Sequence, residues 1–250
     1  MNFKGKVALV TGSARGIGKA TAIMFAQNGA DVVVNDCLDQ IEAEQVATQI
    51  EDLGSNCLLV MADVSKRKEV EKMFLKVEER FKRIDILVNN AGITGGLKDI
   101  NEITEEEWNR VMEVNLKGLF NCCQAVLPYM LKQRKGRIIN ISSVGAKNGA
   151  NGSGIAYFTS KAGVIGFSKV LAKYLAKKGI TVNVVAPGMI NTRMVSWRTS
   201  EQMAEDAQKI PVGRFGEPEE VAAAIIYLSS EHSRYTTGVT LNINGGIYMD

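Results

Sequence analysis

Val7-Ala8-Leu9-Val10-Thr11-Gly12-Ser13-Ala14-Arg15-Gly16-Ile17-Gly18 is the stretch that decides the fold. A short apolar, β-branched run feeds a glycine-rich turn, and a helical pattern takes over at residues 17–27. Glycines here let the backbone turn tightly and approach a pyrophosphate. The first N–H groups of the helix then face the anion, with the helix dipole behind them. The spacing is Gly-x-x-x-Gly-x-Gly, not the commoner Gly-x-Gly-x-x-Gly, and a plain strand-to-helix turn could carry the same glycines. Its place between the first strand and the first helix gives it weight.

Working outward, the same alternation repeats. Strand patterns occupy residues 31–36, 57–61, 84–89, 137–141, 180–185 and 238–243. Helical patterns occupy 40–53, 66–81, 105–132, 156–177 and 218–229. Strands that are apolar on both faces and separated by helices belong to a parallel sheet covered on both sides. The expectation is a single Rossmann-type α/β domain over residues 1–250, a doubly wound parallel sheet of about seven strands. There are only 4 prolines and no linker-like tract. The least regular stretch, 188–211, reads as a substrate lid. Its Met189, Met194, Trp197 and Met203 suit an adaptable apolar pocket or a core or oligomer contact.

Composition narrows the class. The chain has 250 residues, 46% hydrophobic, with 30 Lys+Arg against 27 Asp+Glu. That near-balance excludes nucleic-acid binding carried by global charge. No apolar run approaches the roughly 20 residues of a membrane span, and the first residues carry no targeting pattern. One histidine, His232, excludes a multi-His metal site, and no metal is expected. The 4 cysteines form no Cys-x-x-Cys pair, which is reduced-thiol usage and points to the cytoplasm.

Asp36 closes the second strand. A carboxylate there accepts hydrogen bonds from the adenosine ribose and repels a 2′-phosphate, so NAD(H) is expected over NADP(H). Arg15 in the glycine turn pulls the other way. Tyr157-Phe-Thr-Ser-Lys161 places a phenol and an ammonium on one helix face. The cation favours the phenolate and is expected to lower the Tyr157 pKa. Ser142-Ser143 ends the fifth strand and Asn89-Asn90-Ala91-Gly92 the fourth, both at the carboxyl edge, where ligands bind. Asn115 interrupts an otherwise helical pattern, a local inconsistency of the kind functional sites produce.

Together these segments resemble the short-chain dehydrogenase/reductases, over essentially the whole chain, up to Asn244-Gly245-Gly246. Within that family the chain is similar to bacterial β-ketoacyl-(acyl-carrier-protein) reductases. The grounds are the opening Asn2-Phe3-x-Gly5-Lys6, the run Gly179-Ile-Thr-Val-Asn-Val-Val-Ala-Pro-Gly188 and the ending Ile247-Tyr248-Met249. The resemblance implies Tyr157 as general acid/base. Lys161 would hold the nicotinamide ribose, Ser143 would polarise the carbonyl, and Asn115 would place a relay water. It implies a cofactor site from Gly12, Arg15, Gly16, Ile17, Gly18, Asp36, Asp63, Val64, Asn90, Ala91 and Gly92. Pro187 and Gly188 would extend that site, with Ile190 and Thr192 at the nicotinamide amide. It also implies a homo-oligomer, typically a tetramer, built on the two longest helices.

Two features depart from those reductases. They commonly prefer NADPH, against the reading of Asp36, and the loop 144–156 is one residue longer than usual. Basic residues gather at Lys132, Arg134, Lys135 and Arg137, and again at Lys173, Lys177 and Lys178. They could dock an acyl carrier protein or the phosphates of coenzyme A, or simply complement helix C-termini. Three functions stay open on the residues: oxidoreduction of a 3-hydroxyacyl/3-oxoacyl thioester, NAD-dependent oxidation of a free secondary alcohol, and a catalytically silent NAD-binding subunit.

Overall fold

The structure, a computed structural model, describes residues 1–96, 98–149, 154–196 and 198–250. One sheet of seven parallel strands runs through it in the order β3-β2-β1-β4-β5-β6-β7. The strands are β1 (Val7–Thr11), β2 (Asp31–Asp36), β3 (Cys57–Met61), β4 (Ile86–Asn89), β5 (Gly136–Ile141), β6 (Ile180–Pro187) and β7 (Thr240–Ile243). The order reverses between β1 and β4, the switch point at which open α/β sheets bind ligands.

Alternate residues of each strand feed two cores. Val7, Leu9 and Val33 pack with α3 (Arg67–Phe81), α5 (Gly118–Gln133) and α7 (Ile155–Leu175) through Phe74, Met130, Val164 and Leu175. Ala8, Val10 and Val34 pack with α1 (Gly16–Gln27), α2 (Gln40–Asp52) and α9 (Pro218–Ser229) through Phe25, Ile50 and Ile225. This two-sided burial explains why the strands read as continuous apolar runs. Among the described residues no helix is long and apolar enough to cross a membrane.

Two expectations need correction. The helix read over residues 105–132 is three pieces: α4 (Glu105–Met112), a π-helical turn (Glu113–Lys117) and α5. The widened turn sits at Asn115, whose side chain leaves the helix to bond the Ile93 backbone. The stretch 188–211 is also more regular than expected. It contains a 3₁₀ turn (Arg193–Val195) and α8 (Ser200–Gln208), which opens on a capping box between Thr199 and Gln202. A short α6 (Gly145–Asn148) follows β5. Trp197 and residues 150–153 of the lengthened loop lie outside the described residues.

Candidate functional site

The glycine turn is fixed from below. Gly12 has φ +62°, and a Cβ there would stand 2.8 Å from the Ala91 Cα. A Cβ on Gly18 would meet the Gly12 carbonyl oxygen at 2.2 Å, so only glycine permits this turn. Asn90 clamps it, its Nδ2 donating to the carbonyls of Thr11 and Gly12 at 2.9 Å each. The Asn90 side chain thus holds the turn rather than standing free in the cleft. Arg15 is the N-cap of α1 but makes no side-chain cap, and the first turn holds no acidic residue. The helix N-terminus is left to an outside anion.

Asp36 is 7% exposed at the end of β2. Its Oδ1 accepts the N–H groups of Cys37 (2.8 Å) and Leu38 (3.0 Å), and its Oδ2 that of Ala14 (3.4 Å). A carboxylate has about four acceptor positions, so it can still receive ribose hydroxyls. Asp63 follows β3. Burial works against its charge, but Ser65, through hydroxyl and N–H, and then Arg110 hold its carboxyl below the usual range. Val64 is buried against Gly118. These groups fit a dinucleotide: an uncapped helix end for the pyrophosphate and a poised carboxylate on the adenosine side.

On the other side of the switch point, Ser143, Tyr157 and Lys161 come together above β5. The geometry separates the two serines. Ser142 Oγ donates to the Lys161 carbonyl at 2.8 Å, so it is committed to the fold, whereas the Ser143 hydroxyl is the one close enough to the Tyr157 phenol to favour its ionised form. Lys161 is 3% exposed. Its Nζ donates to the Ile141 carbonyl at 2.8 Å and lies 5.8 Å from the Tyr157 ring centroid. A Cβ on Gly92 would be 3.2 Å from Asn115 Oδ1 and 3.3 Å from Lys161 Nζ, so the three positions converge. Asn115 is also tied to α7 by Ser160, whose hydroxyl accepts from Nδ2 at 3.0 Å. Ser160 lies inside the Tyr157–Lys161 motif, but nothing in the spacing sets it apart.

The electrostatics differ from expectation. Burial pushes the Tyr157 phenol up to about 12, with the Ser143 hydroxyl opposing. Burial also brings the Lys161 ammonium down to about 8. The Lys161 proton is aimed at the Ile141 carbonyl rather than the phenol, so desolvation outweighs the cation's pull on Tyr157.

After β6, the Gly188 N–H donates to the Ile243 carbonyl, and the Pro187 carbonyl accepts from the Val144 N–H. These bonds join the segment that carries Ser143 to the start of the lid. Thr192 reaches the glycine turn, since a Cβ on Gly16 would lie 3.3 Å from its methyl. The Ile190 side chain turns into the core, so only its backbone is left to face the cleft. Of the basic residues, Arg137 is buried, which removes it from a docking surface, whereas Lys135 is exposed and pairs with the exposed Glu231 at 2.7 Å. At 1.5 Å per residue, α7 and the turn after it put Lys178 about 30 Å from Tyr157.

A doubly wound sheet with an anion-ready glycine turn on one side of its switch point, and Ser143, Tyr157 and Lys161 on the other, defines a dinucleotide-dependent oxidoreductase. Comparison with known proteins agrees. A family model described as enoyl-(acyl carrier protein) reductase matches residues 12–248. Similar proteins include the 3-oxoacyl-(acyl-carrier-protein) reductase FabG of Thermotoga maritima, 45% identical over 250 residues and 100% of both chains. Those of Escherichia coli (44%, 100% of both chains) and Staphylococcus epidermidis (43%, 98% of this chain and 99% of the relative) are alike. The chain belongs to the short-chain dehydrogenase/reductase family. It is an oxidoreductase whose cofactor is a nicotinamide dinucleotide.

Proposed function

We propose that the protein reduces a 3-oxoacyl thioester, held on acyl carrier protein or coenzyme A, to the 3-hydroxyacyl thioester, with NAD(H) as preferred coenzyme. The observation that carries the reaction is the convergence of Ser143, Tyr157 and the buried Lys161 at the carboxyl edge of β5. The names of the full-length relatives supply the thioester. Gly12, Gly16, Ile17 and Gly18 would hold the pyrophosphate, Asp36 and Asp63 the adenosine side, and Lys161, Gly188 and Thr192 the nicotinamide side. A bound reduced nicotinamide supplies hydride to the carbonyl carbon. Tyr157 donates its proton to the carbonyl oxygen, and Ser143 donates a hydrogen bond to the same oxygen as negative charge develops there. A phenol raised to about 12 is fully protonated at neutral pH, so it stands ready for reduction. Oxidation needs the phenolate, which burial makes scarce. Lys161, beside Asn115 and Gly92, is the buried ammonium that would return the proton to Tyr157 through a bridging hydroxyl or water, since its own hydrogen bond goes to the Ile141 carbonyl.

Consumption of NADH by the purified protein with acetoacetyl-coenzyme A, with NADPH run in parallel, tests both halves. Turnover with NADH well above that with NADPH supports the reading. No turnover with either coenzyme on coenzyme A or carrier-protein thioesters sinks it. Asp36→Ala addresses the coenzyme alone, because a lost charge-assisted hydrogen bond is worth about tenfold. An unchanged preference in that variant rules Asp36 out as the determinant. The exposed Phe120 of α5 and Val170 of α7 favour an oligomer through those helices; light scattering of the purified protein measures it.

A further inference from the structure

Asp36 does not stand alone at the adenosine end of the cleft. Glu42 lies in the first turn of α2, the helix that follows Asp36. Its Oε2 is 3.8 Å from Arg15 Nη1, and its Oε1 pairs with an Arg193 guanidinium nitrogen. The two arginines arrive from separate elements. Arg15 comes from the glycine turn, and Arg193 from the 3₁₀ turn directly after Thr192, which touches that turn. The Glu42 side chain is only 22% exposed, and Oε2 is a buried oxygen that accepts no hydrogen bond among the described residues. The carboxylate is held there by two guanidinium charges from outside its helix, not by helix capping. Asp39 is what caps α2, accepting the Glu42 N–H.

Guanidinium groups are the side chains best matched to phosphate oxygens. A free Arg15 or Arg193 beside the ribose would favour a 2′-phosphate. We propose that Glu42 is a second determinant of coenzyme choice: by pairing with Arg15 and Arg193 it withholds both cations from a 2′-phosphate. This rests on the reading that Asp36 faces the ribose, and deepens it. Asp36 acts by repelling the phosphate, Glu42 by occupying the groups that would attract it. With Asp36 and Glu42 both charged, the two carboxylates balance the two guanidiniums. Neutralising Glu42 leaves a net cationic ribose end.

The test is binding, read from the nicotinamide fluorescence of NADH and NADPH titrated into purified protein. Glu42→Gln is nearly isosteric and keeps the fold. It is expected to shift the affinity ratio toward NADPH by about tenfold, the effect of one or two charge-assisted hydrogen bonds gained. Adding Arg15→Ala and Arg193→Ala to that variant should abolish the shift. Glu44→Gln makes the same charge change at an exposed position on the same helix, where the Glu44 carboxylate accepts from Gln40. It should move the ratio by less than about twofold, as a surface charge does. An unchanged ratio in Glu42→Gln, or an equal shift in Glu44→Gln, overturns the proposal. Asp36→Ala separates the two readings. If it shifts the ratio and Glu42→Gln does not, only the Asp36 reading stands. If Glu42→Gln alone shifts it, the ribose still sits at the end of β2 as the proposal requires, but Asp36 is not the group that sets the preference.

Discussion

The two edges of the sheet handle charge in opposite ways. At the amino edge, Asp85 is surrounded. Its carboxylate accepts from Arg83 at 2.6 and 2.8 Å, from Lys6 at 3.1 Å and from the Val7 N–H at 3.0 Å. Burial opposes its charge, yet Arg83, the Val7 N–H and Lys6 hold the carboxyl below its usual range. At the carboxyl edge, Lys161 is buried and forms no ion pair among the described residues, and Tyr157 has only the Ser143 hydroxyl against its desolvation. The first arrangement stabilises the fold. The second leaves two proton carriers poised by burial, the condition in which small chemical events move protons. Helix N-termini gather at this second edge and C-termini at the first, so cations at the amino edge and an anion at the carboxyl edge both follow the dipoles.

The sharpest break of that comparison is Tyr157→Phe. It removes one oxygen at the carboxyl edge and nothing from the core. Loss of a positioned acid is expected to lower turnover about a thousandfold, while NADH binding by fluorescence persists. Turnover within tenfold of the parent would remove Tyr157 from the proton path.

Asp85→Ala probes the other edge. It removes a carboxylate, with 9% side-chain exposure, that two cations and a backbone N–H share. Arg83 and Lys6 are 43% and 30% exposed and return to water, so the expected loss in denaturant unfolding is about 1.5 kcal/mol, most of it from the orphaned Val7 N–H and the lost charge-assisted bonds, with the folded fraction's turnover unchanged. The pH dependence has a definite sign. The Asp85 pKa is lower folded than unfolded, so its contribution is complete above about pH 4 and lost as pH falls through the folded value. The stability gap between parent and variant should therefore close in acid. A gap that persists there would show that packing, not charge, holds this edge.

Sequence reading captured the two edges unequally. The strands were legible because both faces are buried and the apolar runs are unbroken, and their ends located the carboxyl edge at once. Asn115 announced itself as a misfit in a helix, and the π-helical turn is the structural form of that misfit. Three things were not legible. The residues alone leave Ser142 and Ser143 equivalent, and only the family resemblance singles out Ser143; the physical reason, that Ser142 is engaged by the Lys161 carbonyl, is a contact across elements. Arg137 read as a surface cation because its burial, at the start of β5, comes from distant chain. Its charge is met by Glu231, which lies just after α9 and far away in sequence. α8 was hidden by the glycine- and proline-flanked composition of residues 188–211, although its Thr199/Gln202 capping pair was in plain view.

The pH profile of reduction refines the account of the carboxyl edge. Tyr157 stays protonated across the working range, so the limb that matters is Lys161, whose burial places it at about 8. Reductive turnover should be level below that value and decline above it, approaching tenfold per pH unit as the ammonium is lost. Alcohol oxidation should rise with pH over the same range. A reductive rate that stays level to about pH 10 would mean that Lys161 supplies no proton.

The smallest effect concerns Asp63, the carboxylate on which the two edges' styles meet. It is charged and paired, like Asp85, yet it lies beside the cleft. Its Oδ1 takes both the Ser65 hydroxyl (2.6 Å) and N–H (2.9 Å), while Oδ2 has Arg110 at 3.3 Å. The Arg110 side chain is 47% exposed, so the pair is solvent-screened and worth about 0.5 kcal/mol. Arg110→Gln should therefore weaken NADH binding only about twofold to threefold by fluorescence titration. Ser65→Ala, which removes the shorter bond, should weaken it more. The reverse order would mean that Arg110, not Ser65, orients the carboxylate, and that this part of the cleft follows the amino-edge rule of charge answered by charge.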